Sequence, residues 1–129
     1  MTGQDVYELA LALLDEIDSD GTINTTRTAI YAGKAPRLIN LLQREIAHYD
    51  GTIITENITE LTDTLEITDD SATRIMPYGL AAAFALADKN ADMNNTYEVE
   101  YKTRLRTMRK PEQKIVDKYD ILSGMKGDL

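Results

Sequence analysis

Residues 58–90 read ITELTDTLEITDDSATRIMPYGLAAAFALADKN, and the second half of this stretch decides the fold. The run Gly79-Leu80-Ala81-Ala82-Ala83-Phe84-Ala85-Leu86-Ala87 carries no charge and is the most apolar segment of the chain. It is far shorter than the roughly 20 apolar residues a bilayer span requires. It therefore predicts a core helix whose small residues let neighbours approach closely. The lead-in ends in Leu65 and Ile67, a cap is expected at Asp69–Asp70, and Pro77-Tyr78-Gly79 falls inside the predicted helix. Ala72, Ile75, Met76, Leu80, Ala83, Phe84 and Ala87 form its stripe, ending near Lys89–Asn90. Pro77 is expected to bend it in the first or second turn, because proline removes a backbone donor and crowds the preceding turn.

Working outward, the chain has 129 residues, which predicts one domain with one core. There is no Trp and one Phe, so Leu, Ile, Ala, Met and Tyr must fill that core. The absence of cysteine excludes a disulfide framework, a thiolate zinc site and a cysteine nucleophile. It suits assembly in a reducing cytosol. The opening MTGQDVYELA has no basic stretch and does not read as a targeting peptide. Charge is unevenly spread. Residues 1–100 hold six Lys or Arg against eighteen Asp or Glu, a balance of −12, whereas residues 101–129 hold eight against four, a balance of +4. An acidic body argues against wrapping nucleic acid, whose phosphates need cations. The split offers one copy's tail a route to another copy's body, although Lys and Arg also gather at helix C-termini for the dipole alone.

Helix one is predicted from Thr2 or Gly3, with Thr2 as cap and Asp5 near the positive end. Val6, Leu9, Leu13, Leu14 and Ile17 supply its stripe, and Asp18-Ser19-Asp20-Gly21 stops it. The segment Glu16–Arg27 resembles a calcium-binding EF-hand loop, with Glu16, Asp18 and Asp20 at its first, third and fifth positions and Gly21 at the sixth. Such a loop needs a bidentate Glu at position twelve. Arg27 stands there instead, so the segment reads as an acidic turn with Asn24, Thr25 or Thr26 capping the next helix. Helix two is predicted over about 26–49, with Ile30, Leu38, Leu41, Leu42, Ile46 and Tyr49 inward, a kink or restart near Lys34–Pro36, and a stop at Asp50-Gly51. His48, the single histidine, reads as a surface or capping residue.

The β-branched residues of 52–68 predict an extended connection, with short strands at 52–58 and 64–68. A connection of this length is usually functional or held against a partner. Helix four is predicted to start after Asn90 or Asp92. Met93, Tyr97, Tyr101, Leu105 and Met108 form its seam, Glu98 and Lys102 pair across its surface, and Pro111 ends it. The remainder carries Ile115, Val116, Tyr119, Ile121 and Leu122, too apolar for an inert tail, and reads as a segment that docks on its own domain or on a neighbour. The architecture expected is all-α: a small four-helix bundle with an extended linker between helices two and three and an extended C-terminal arm. A helical domain occupies 1–110 and a docking arm 111–129.

No catalytic constellation emerges. GxSxG, GxxxxGK[ST] and HExxH are absent from the sequence. No enzyme activity, metal or cofactor is expected. Lys102, Arg104, Arg106, Arg109 and Lys110 form a basic helix end without the aromatic interleaving of single-strand binders. It reads as a solvated or interface-facing band.

The segment from Ile58 to Arg109 resembles the core of small bacteriophage head–tail connector, or adaptor, proteins. The matching residues are Leu61-Thr62-Asp63 at the end of the linker, the Asp69–Asp70 cap, and Met76-Pro77-Tyr78-Gly79-Leu80-Ala81-Ala82. Asp88-Lys89-Asn90 and the seam of Tyr97, Tyr101 and Leu105 complete them. LALLDEIDSDGTIN and LINLLQREI are also similar to that family's opening, so the resemblance covers about residues 3–110. Its motifs are packing motifs, and the chain beyond Pro111 matches least.

The resemblance implies a homo-oligomeric ring of twelve copies in the virion neck, assembled in the host cytoplasm. Such a ring binds the portal protein, extends the DNA channel and offers a docking surface to the stopper or tail completion protein. DNA passes without specific binding, and no membrane is involved. Candidate subunit or portal contacts are the basic band together with Ile115, Val116, Tyr119, Ile121 and Leu122. Asp69, Asp70, Pro77, Tyr78 and Gly79 are the candidate structural motif. A small non-enzymatic helical regulatory or binding module is the alternative, and a calcium-responsive protein a more remote one.

Overall fold

A computed structural model of the chain describes residues 1–108. Among them are five helices and no strand: α1 (Gly3–Leu13), α2 (Ala29–Asp50), α3 (Asp69–Arg74), α4 (Met76–Ala87) and α5 (Ala91–Thr107). The fold is all-α, a four-helix bundle whose third helix is broken in two. The break replaces the bend expected at Pro77. Ile75 leaves the helical region at φ −120° and ψ −55°, and Pro77 falls in the first turn of α4, where its missing N–H costs nothing. The cap of α3 is Thr68 rather than Asp69 or Asp70. Its hydroxyl accepts from the Ser71 N–H at 3.1 Å, and the two aspartates occupy the first turn at the positive end of the dipole.

α4 is the helix on which α1, α2, α3 and α5 all pack. Its sequence has no polar face, and most of it is buried: Met76, Pro77, Gly79, Leu80, Ala81, Ala82, Phe84 and Ala85, whereas Leu86 and Ala87, the second expected inward, are exposed. Phe84 lies fully buried between Tyr7, edge-on at 6.0 Å, and Tyr31, stacked at 4.6 Å. Gly79 permits the closest approach. A methyl group built there would stand 2.8 Å from a Leu42 methyl and 2.9 Å from the Tyr101 ring.

α1 begins as predicted, with a reciprocal Thr2–Asp5 capping box. It ends earlier than expected, at Leu13. Asp15 turns left-handed at φ 60°, Glu16 N–H returns to the Leu11 carbonyl, and Asp15 N–H to that of Ala12. Lys89 repeats this device at φ 59° after α4, and Asn90 then caps α5 through the Met93 N–H. Asp88-Lys89-Asn90 is thus the α4–α5 corner.

Two expected stripes are met in part: Val6, Leu13, Leu14 and Ile17 of the first, and Leu38, Leu42 and Ile46 of the second, lie in or against the core. α1 buries Val6, Tyr7, Ala10 and Leu11, leaving Leu9 exposed. α2 buries Tyr31, Ala35, Ile39, Gln43, Ile46 and Ala47, while Ile30 and Leu41 face outward at 63% and 68% exposure and Tyr49 is also exposed. α2 also runs through Pro36 without a restart. The carbonyl that loses its partner there belongs to Ala32, an exposed residue, so solvent can satisfy it. Gly51 closes the helix at φ 87°, as Asp50-Gly51 predicts.

Candidate assembly surfaces

The linker is an ordered strap, with no strand at 52–58 or 64–68. Its backbone groups find side chains of α2 in place of a neighbouring strand. Asn40 brackets Ile58, donating to its carbonyl at 2.9 Å and accepting its N–H at 2.8 Å. Gln43, itself buried, accepts from the N–H groups of Glu66 and Ile67 at 2.6 and 3.3 Å. Arg44 donates twice to the Asn57 amide oxygen. Ile58, Leu65 and Ile67 are buried beneath the strap.

Leu61-Thr62-Asp63 has a defined task in this arrangement. The first N–H groups of a helix have no partner within it. Here Gly3 N–H donates to the Asp63 carbonyl at 3.1 Å and Gln4 N–H to the Leu61 carbonyl at 2.6 Å. The Asp63 carboxylate accepts from the Thr59 and Glu60 N–H groups, which hold its pKa below the ordinary value and close the turn. Glu66 is held low chiefly by the Thr55 hydroxyl and N–H.

On α5, Tyr101 and Leu105 are buried, and Tyr97 packs partly against the core while donating its hydroxyl to the Leu13 carbonyl. Tyr101 donates to Glu45. Its phenol pKa is pushed well above normal, first by burial and then by that carboxylate. Tyr101 therefore stays a neutral donor, linking α5 to α2.

The basic band divides. Lys102 sits 3.7 Å from Glu45 and 3.8 Å from Glu98, which realises the expected Glu98–Lys102 pair. Arg104 donates to Glu100 at 2.7 Å and to the Arg74 carbonyl at 3.0 Å, and its guanidinium lies 4.1 Å from the centre of the Tyr78 ring. It therefore bridges α5 to the α3–α4 break and satisfies a carbonyl the break exposes. Arg106 is exposed and makes no ion pair among the described residues. Arg109, Lys110, Ile115, Val116, Tyr119, Ile121 and Leu122 lie outside the described residues. Asp70 pairs with Arg74 at 3.6 Å on the surface, a contact worth at most about 1 kcal/mol.

The EF-hand-like segment closes on itself. Arg27 lies 3.0 Å from Glu16, joining the two ends of the loop, while Asp20 accepts the Thr22 N–H. Among the described residues no group of three or more His, Asp or Glu side chains is placed to hold a metal. No described helix is long and apolar enough to cross a membrane.

One surface escaped the sequence reading: the outer face of α2. Ile30, Lys34, Arg37, Leu41, Arg44 and His48 recur at intervals of four and three, all exposed on one side. A concavity of about 330 Å³ opens there, lined by Arg37, Asn40, Leu41, Arg44 and Asn57. The spacing is present in the sequence, but the apolar character of Ile30 and Leu41 points them to the core. Comparisons with family models, with curated proteins and with solved structures return no match to this chain.

Proposed function

We propose that the chain is a structural virion protein, a head–tail connector whose ring binds the portal, extends the DNA channel and receives the stopper or tail. The carrying observation is that the central motifs of the resemblance have defined packing tasks in this fold. Pro77-Tyr78-Gly79 opens the central helix, Leu61-Thr62-Asp63 completes the start of α1, and Asp88-Lys89-Asn90 makes the α4–α5 corner. Tyr97, Tyr101 and Leu105 close the bundle. The acidic body suits a channel wall along which DNA slides without sticking, since like charges repel. The arm 111–129 is assigned to an adjacent subunit or the portal.

The test is mass by light scattering, for the chain alone and mixed with its portal. A small species that becomes a multi-copy ring on the portal is expected. A chain that ignores the portal would instead favour the small binding module.

A further inference from the structure

We infer that the outer face of α2 is a subunit interface, and that its occupant is the outer face of α1 from a second copy of this chain. This deepens the ring reading and rests on it for its biological meaning. The grounds for the contact are separate: two exposed faces of opposite charge on one molecule, each with an exposed leucine.

The cationic stripe is selective. Residues 1–100 contain only six Lys or Arg, and three of them, Lys34, Arg37 and Arg44, lie on this face. None of the three forms an ion pair among the described residues. Leu41 sits between Arg37 and Arg44 and lines the concavity with them. The exposed side of α1 carries the opposite charge. Residues 1–26 hold six Asp or Glu and no Lys or Arg. On the exposed side of α1, Leu9 lies beside Glu8, with Asp5 one turn before and Ala12 following. Leu9 beside Glu8 thus faces Leu41 between Arg37 and Arg44, and the hollow that Leu41 lines can receive a leucine.

Nucleic acid fits less well. Phosphates gain from cations but nothing from exposed Ile30 and Leu41, and the face carries no base-stacking Phe, Tyr or Trp. The chain's own arm fits less well too, because residues 109–129 hold five Lys or Arg against four Asp or Glu and offer no excess of acid. The two stripes are different surfaces, so the contact is head-to-tail and either closes into a ring or continues as a filament. A single helix-on-helix contact is small, so it is weak in free solution and strengthens when a template gathers the copies.

Sedimentation velocity on the full chain tests this with two variants. One carries Lys34→Glu and Arg37→Glu, the other Glu8→Lys and Ala12→Lys, and circular dichroism establishes that both are helical. The wild type is expected to self-associate at low salt. That association should weaken at least about tenfold from about 0.1 M to about 1 M salt, as the screening length falls from about 10 to about 3 Å. Each variant alone should be monomeric, because like now faces like. An equimolar mixture should associate again, since each chain then offers the other a complementary face.

A wild type that associates, with variants that associate equally well or a mixture that does not recover, overturns the interface and leaves the ring reading standing. Duplex DNA bound by wild type and released by the α2 variant, at unchanged protein mass, assigns the face to nucleic acid and also overturns the proposal. A wild type that stays monomeric in free solution at low salt overturns the interface, and one that also fails to assemble on the portal overturns the ring reading as well.

Discussion

α4 and α2 use their apolar residues in opposite ways. α4 is apolar on every side and packs against the other four helices, so its residues from Met76 to Ala85 are consumed by the fold and only its last two, Leu86 and Ala87, are exposed. α2 is apolar on two sides. One side meets the core through Tyr31, Ala35, Ile39 and Ile46, and the other presents Ile30 and Leu41 among cations. A helix needs one buried face to be held in place. The second set on α2 is surplus to the fold, which is why it is assigned to a neighbour. The two helices should therefore respond differently to substitution.

The largest effect is expected at Phe84. Its removal empties the centre of α4 and leaves Tyr7 and Tyr31 without their shared partner. Phe84→Ala should cost about 3–5 kcal/mol, measured by urea unfolding. A loss below about 1 kcal/mol would show that α4 is not the centre of the core.

Next comes the inner face of α2, at Gln43. Gln43→Leu removes the acceptor for two strap N–H groups. A loss of about 1–3 kcal/mol is expected, with amide exchange rising at Glu66 and Ile67 before the rest of the chain. Unchanged exchange there would mean that the strap is held by its buried side chains alone.

Acid should loosen the same strap. Asp63 and Glu66 have folded pKa values below their ordinary 3.8 and 4.5, so their contribution is fully present above those values. It is lost as pH falls through the lower folded values. Amide exchange at Thr59 and Glu60 should therefore be flat from neutral pH to about 5 and should rise, relative to intrinsic rates, only below about 4. A rise centred above pH 5 would show that other groups hold the turn.

The sequence showed most clearly what local chemistry decides. Thr2 and Asp5 mark the start of α1, Asp50-Gly51 ends α2, and the four-residue spacing of Tyr97 and Tyr101 with Leu105 following gives the α5 seam. It misled where a long-range partner decides. The β-branched residues after Gly51 form no strand, because the Asn40 and Gln43 side chains take up backbone groups of Ile58, Glu66 and Ile67. Pro77 was visible as an interruption, yet whether it bends or breaks a helix depends on Ile75 and on Arg104 reaching the freed Arg74 carbonyl. On α2, apolar character alone could not distinguish a face for the core from a face for a partner. At the candidate contacts, the four-residue spacing of Glu98 and Lys102 was legible, whereas Glu45 and the Tyr78 ring are brought to Lys102 and Arg104 only by folding.

The most direct test of the contrast between α2 and α4 is the assembled mass of a Leu41→Asp chain on the portal, with urea unfolding as the control for folding. Leu41 is exposed, so stability should stay within about 0.5 kcal/mol of wild type. The multi-copy assembly should be lost, because the substitution places an acid where the acidic face of the next copy must sit. A chain that assembles to wild-type mass with Asp at position 41 would contradict the account, as would one that unfolds like the Phe84→Ala variant.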